Sequence, residues 1–193
     1  MHVLVVLCSP AEKSLVASLA HTAADTARSH GATVTLLDLY RERFDPVLPD
    51  EEIRRRFSLE DSVQNSVREL VRADLIVIAH PEWWGQPPAL LKGWVDRVFR
   101  HGVAFTFSGD EFTEKQFVPL LTEKSAAVFV TSDMDGATPI EMIWNDTILG
   151  YCGVPEVHFH RFCGVRRSSH SERSRWLKTV ESAIRDIVTR RSR

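Results

Sequence analysis

Short apolar runs alternate with stretches of helical periodicity along the chain, and this alternation limits the folds open to it more than any other feature. Val3 to Leu7 is continuously apolar and rich in β-branched residues, the pattern of a strand buried on both faces. After Ser14, a plausible N-cap, Val16, Ala20, Ala23, Ala24 and Ala27 recur at helical spacing until Gly31. The unit then repeats. "TVTLLDL" (33 to 39), "LIVIA" (75 to 79), "AAVFVT" (126 to 131) and "EVHFHRF" read as further strands. Helical spacing returns at Val63, Val67, Leu70 and Val71, and again from Leu90 to Phe99, entered through Pro87 and Pro88. It returns once more around Ile140 to Leu149, and from Trp176 to Ile187. Five strands alternating with five helices predict a doubly wound α/β sandwich, a five-stranded parallel sheet with helices on both faces. Such sheets commonly take the order 2-1-3-4-5, with the switch point between strands one and three. The least regular stretches are 41 to 58 and 101 to 124.

A length of 193 residues suits one domain, 1–193, with a real core. A formal net charge of −2 gives no global basic field for nucleic acid, and the "RRSR" tail reads as a solvated end. No apolar run approaches the roughly 20 residues of a membrane span, so no membrane insertion is expected. The opening "HVLVVLC" is too short for a signal h-region, and three cysteines without a CxxC favour reduced thiols. A cytoplasmic location is expected.

In open α/β sheets, ligands bind beyond the carboxyl ends of the strands, at the switch point. That rule selects three loops: "SPAEKSLV" (9 to 16), "HPEWWGQP" (80 to 87) and "SDMDGAT" (132 to 138). The first leads to a helix N-terminus, where free N–H groups and the dipole favour an anion, and Ser9 and Ser14 add hydroxyls. Neither GxGxxG nor GxxxxGK[ST] is present, which argues against a Rossmann dinucleotide site and an ATP P-loop. Ser14 as a plain helix cap is the competing reading. In the second loop, Trp83 and Trp84 either fill gaps between helix and sheet or make a flat wall for a planar ring. A phosphate site beside an aromatic wall suits flavin mononucleotide.

The stretch "PEWWGQPPALLKGWVDRVF" closely resembles the signature of the NAD(P)H:quinone oxidoreductases related to DT-diaphorase, and of their shorter bacterial relatives. "DLY", "FDPVL", "RADLIVIAHP", "HGVAFTF" and "LGYCGV" agree with that family in order and spacing, so the resemblance covers roughly residues 1 to 165. It implies a flavodoxin-like fold, a tightly held flavin and a homodimer that completes each site. Pro81, Glu82, Trp83 and Trp84 match the loop that lies along the isoalloxazine ring, mainly through backbone groups. Ser14, Leu15 and Val16 fall where the family binds phosphate, and Thr131, Ser132, Asp133 and Gly136 fall near the third flavin loop. Ser9 stands where the family usually has a histidine and Val16 where it has an asparagine. "TSDMDGATP" replaces a threonine–glycine-rich turn and brings Asp133 and Asp135 near the ring. The tyrosine and histidine that assist proton transfer in DT-diaphorase have no clear counterparts, so no catalytic acid or base is assigned.

The function this implies is two-electron transfer, by hydride, from NADH or NADPH through bound FMN, with FAD possible, to a quinone or similar aromatic acceptor. The alternative is a flavin-binding ancillary subunit of a transporter such as glutathione-gated potassium efflux. A flavodoxin-type carrier fits poorly with a charge of −2, and a phosphoreceiver lacks its carboxylates at the strand ends, where Ser9 and His80 stand. His158, His160 and Cys163 make only a weak zinc pattern with no fourth ligand. Cys8 reads as a small core residue. No GxSxG elbow is present.

Overall fold

The computed structural model describes residues 1–109 and 115–191. Strands β1 (His2–Leu7), β2 (Thr33–Asp38), β3 (Leu75–Pro81), β6 (Ser125–Thr131) and β7 (Glu156–Phe162) form one parallel sheet in the order β2-β1-β3-β6-β7. In order of appearance these are the five expected strands, and the order is the expected 2-1-3-4-5. The runs are apolar on both faces because both faces are covered. Val3, Val5, Val77 and Phe129 pack under α1 (Leu15–Ser29) and α6 (His170–Arg191). Leu4, Val6, Ile76 and Val128 pack under α3 (Asp61–Arg72), α4 (Ala89–Val98) and the segment 140–148. The alanines of α1 are fully buried and let it lie close against both the sheet and α6.

Three regions depart from the expectation. Within 101–124, β4 (Phe105–Ser108) and β5 (Gln116–Pro119) pair as an antiparallel ribbon. Its apolar side stacks Phe105 on Phe117 at 5.4 Å, and Phe117 on Tyr151 at 4.2 Å. Within 41–58 a short helix, α2 (Asp50–Arg55), buries no residue of its own. It is moored instead by Glu52 to the fully buried Arg97 of α4, at 2.5 Å. Beside it, a Cβ on Gly93 would come within 2.3 Å of Pro46, so only glycine lets α4 lie this close to that segment. The helix expected at 140–149 starts as one α-turn, α5 (Ile140–Met142), and widens to π geometry over Ile143–Ile148. Leu149 N–H donates to Trp144 O at 3.0 Å, and Trp144 points wholly inward.

Candidate functional site

The first loop delivers a helix start whose hydroxyls are already occupied. Ser14 has extended backbone geometry and caps α1, its Oγ accepting from Ala17 N–H at 3.1 Å. Ser14 and Ser9 hydroxyls meet at 2.9 Å, and Ser9 Oγ donates to Ala11 O at 3.2 Å. The protons therefore run in one direction, from Ala17 through Ser14 and Ser9 to Ala11. To donate to an anion, as expected of them, each hydroxyl must rotate out of this chain. The amides of Leu15 and Val16 have no acceptor among the described residues, which leaves two donors at the start of α1.

The second loop is a tight turn at the end of β3. Trp83 and Gln86 exchange N–H···O bonds of 3.0 Å each way. Trp84 at φ 55° and Gly85 at φ 74° occupy the two central places, the pattern of a type I′ turn. Trp84 is 97% exposed and Trp83 43%, so neither indole fills the core. Glu82 N–H donates to Thr131 O at 2.7 Å. With the amides of Glu82 and Trp83 engaged, the backbone donor this turn offers a ring edge among residues 82 to 84 is Trp84 N–H. Behind the turn, Trp144 Nε1–H donates to His80 Nε2 at 2.9 Å. The His80 proton therefore sits on Nδ1, 2.8 Å from Pro81 O. Burial pushes His80 down to about 4, so the ring is neutral.

The third loop is held by arginines that sequence reasoning missed. Arg161 of β7 bonds Glu82 at 2.6 Å, Gly136 O at 2.7 Å, Met134 O at 3.0 Å and Ser132 Oγ at 3.1 Å. Burial pushes the Glu82 carboxyl up, but the nearby hydroxyls of Thr138 and Ser132 and the bonded Arg161 guanidinium outweigh it and hold it below the usual carboxylate range. Arg166 pairs with Asp133 at 2.8 Å, and Arg167 pairs with Asp135. Asp133 and Asp135 are thus halves of ion pairs. The partial signal was "HRFCGVRR": one arginine at the end of a strand and two just beyond it, with the strand's carboxyl end facing the same way as the site.

Pro81, Glu82, Trp83, Trp84, Thr131, Ser132 and Asp133 line one cleft of about 430 Å³, together with Met134, Val165 and Arg166. Gly136 is outside this lining and enters only through its carbonyl. Ser14 and Leu15 border a separate groove of about 490 Å³ that runs between α1 and α6, past His21, His170 and Arg173. Away from the site, His158 lies 2.9 Å from Glu156, and His160 stacks on Phe129. Cys8 is wholly buried, and burial pushes its thiol up to about 12, which suits a core residue and not a nucleophile.

The parallel sheet and the loops at its switch point define a flavodoxin-like protein, and the chain belongs to the family of that fold, whose model matches residues 1–184. The nearer kinship read from residues 81 to 98 holds as well. The chain is 29% identical to a Haemophilus influenzae protein named as an uncharacterized NAD(P)H oxidoreductase, over 84% of this chain and 83% of that one. It is 28% identical to the mouse ribosyldihydronicotinamide dehydrogenase [quinone], over 96% and 91% of the two chains. Among solved structures, an NAD(P)H:quinone oxidoreductase from Methanothermobacter marburgensis superposes with a TM-score of 0.78 at 26% identity, covering 97% of this chain and 96% of that one. Among the described residues, no helix is long and apolar enough to cross a membrane.

Proposed function

We propose that this protein is a flavin-dependent NAD(P)H oxidoreductase that carries two electrons from a nicotinamide to a quinone or similar aromatic acceptor. The observation that carries the reading is the cleft itself. Two exposed indoles stand on a constrained turn beside a free amide, at the sheet's switch point, where nothing about folding requires them. The residues present fit a flavin: amides of Leu15 and Val16 for phosphate, Trp84 N–H for the ring edge, Trp83 and Trp84 for the apolar face. When bound, the flavin supplies the exchange of two electrons between donor and acceptor.

The chain's own residues bind and orient. Trp83 and Trp84 offer apolar surface to planar molecules entering from solvent. Met134 and Val165 line the same cleft, and the Arg166–Asp133 pair sets a polar rim. Glu82, ionised and locked on Arg161, keeps the turn in place and has no proton to give. No histidine or tyrosine of this protomer lines the cleft among the described residues, so no acid or base is assigned within it.

FMN satisfies the phosphate turn and the ring cleft. The groove between α1 and α6 also leaves room for the adenylate half of FAD, with Arg173 and His170 beside it. We infer a homodimer from the exposed Ile53 and Phe107, which line a hollow of about 280 Å³ with Leu48, Phe99 and Phe105 between α2, α4 and the ribbon, and from Val47, Phe57 and Leu59, also exposed on the stretch that carries α2. Three unpaired cysteines support a reducing, cytoplasmic setting.

The test is a visible spectrum of the purified protein, chromatography of any released flavin, and turnover of NADH and NADPH with a series of quinones. A yellow protein with quinone-dependent turnover is the expected result. A colourless protein that takes up neither FMN nor FAD overturns the reading.

A further inference from the structure

We propose that Arg161 is a positioning residue for the flavin, fixing the second and third loops relative to each other so that the cleft is formed before the ring arrives. The proposal rests on the reading of the cleft as a flavin site. Arg161 stands in register with Val130 on the neighbouring strand and reaches across the end of the sheet. Its Nε donates to Glu82 on one loop. Its two Nη groups donate to Gly136 O, Met134 O and Ser132 Oγ on the other. The third loop thus curls its carbonyls around one guanidinium, and the Glu82 carboxylate anchors that guanidinium to the turn bearing the indoles.

Burial makes this contact different from its neighbours. The Arg161 side chain is 14% exposed and that of Glu82 0%, so the pair is weakly screened. The Arg166–Asp133 and Arg167–Asp135 pairs are largely exposed, and such pairs contribute little. Arg161 is therefore the inner fastening and the other two arginines are outer ones. Its donors leave a planar fork at fixed angles, which a lysine ammonium does not reproduce. Arg161 itself does not line the cleft, so it acts through the loops and not by touching the ring. A loop ordered in advance lowers the cost of ordering it on binding.

The test uses full-length protein stripped of flavin. FMN and FAD affinities are read by fluorescence quenching, and hydrogen exchange over 131–138 is followed by mass spectrometry in the flavin-free state. Arg161→Met is expected to weaken flavin binding by about 10- to 100-fold, the scale seen when supporting partners around a bound group are removed, and to speed exchange over 132–136. Because Arg161→Met strands a buried carboxylate, the double variant E82Q/R161M supplies a folded control, and it should remain weak in binding and fast in exchange. Arg161→Lys should recover thermal stability but not affinity. A folded R161M or E82Q/R161M protein with wild-type flavin affinity, or with wild-type exchange over 132–136, overturns the proposal. Failure of the wild type to bind any flavin overturns the proposed function instead, and the exchange measurement still decides whether Arg161 fastens the loops.

Discussion

Trp144 and His80 are joined by a buried hydrogen bond of 2.9 Å, indole N–H to imidazole Nε2, that links the π-helical segment to the strand residue just before the turn bearing Trp83 and Trp84. Since the indole can only donate, the imidazole is fixed as the neutral Nδ1–H tautomer and steadies Pro81 O. Trp144→Phe leaves His80 Nε2 buried without a donor. We expect a loss of about 1–3 kcal/mol in urea denaturation, from the unsatisfied acceptor. The variant should also show a looser 80–84 turn by hydrogen exchange.

The same pair makes stability depend on acid. His80 falls from 6.5 to about 4 on folding because burial disfavours its charged form. Between those values the unfolded chain binds more protons than the folded one, so stability is complete above about pH 6.5 and declines as pH falls toward 4. The full span corresponds to roughly 3 kcal/mol. His80→Gln keeps an acceptor for Trp144 and removes the titration. Its stability should change less between pH 7 and pH 4.5 than the wild type's, and equal slopes in denaturation series would refute the assignment.

Arg97 carries a second buried charge network. Its side chain is 0% exposed and bonds Glu52 at 2.5 Å, Glu60 at 2.7 Å and Asp45 O at 2.7 Å. Burial pushes Glu52 up, yet its bonds from Arg97 and Ser58 bring it down on balance. Arg97→Met strands Glu52 and frees α2, which has no buried side chain to hold it. The expected loss is about 3–5 kcal/mol, with proteolysis appearing first near residues 50–58. Glu52→Gln in the same background should recover part of that loss.

Elements whose identity depends on local pattern were legible in the sequence. The five strands stood out because burial on both faces leaves no polar interruption, and the strand ends then located the three loops. The ribbon escaped because four-residue strands such as "FTFS" carry too little alternation to register. The start of α6 was readable but unread: Ser169 and Glu172 form a reciprocal cap, Ser169 N–H to Glu172 at 2.8 Å and Glu172 N–H to Ser169 Oγ at 3.2 Å. Arg161 was harder to see. It meets Glu82 across 79 positions, and nothing local marks the one arginine in "HRFCGVRR" that turns inward. Such contacts appear only once the strand order has made neighbours of β3, β6 and β7.

Ser14 separates capping from anion binding. Ser14→Ala removes the acceptor for Ala17 N–H and should cost about 1 kcal/mol. If phosphate is held by the amides of Leu15 and Val16, flavin affinity falls only a few-fold. Titration of the stripped variant checks this, and a loss of a hundredfold or more would make the Ser14 hydroxyl the principal phosphate donor.

Trp84 occupies left-handed backbone space at φ 55°, where a bulky side chain is disfavoured, while its indole is 97% exposed and gains little from burial. Stability alone would place asparagine there, since Asn-Gly is the preferred type I′ pair. Trp84→Asn should therefore raise stability by about 0.5–1 kcal/mol, through relief of backbone strain. On the proposed reading the indole persists at this cost because it serves in solvent: it lines the cleft and gives a planar ligand a face to lie on. The variant should accordingly bind flavin more weakly, having lost one of the two indole faces, and show a several-fold higher KM for quinones. Parallel thermal denaturation and steady-state kinetics test both halves. A destabilised W84N protein with unchanged KM would place the indole in service of the fold and remove it from the site.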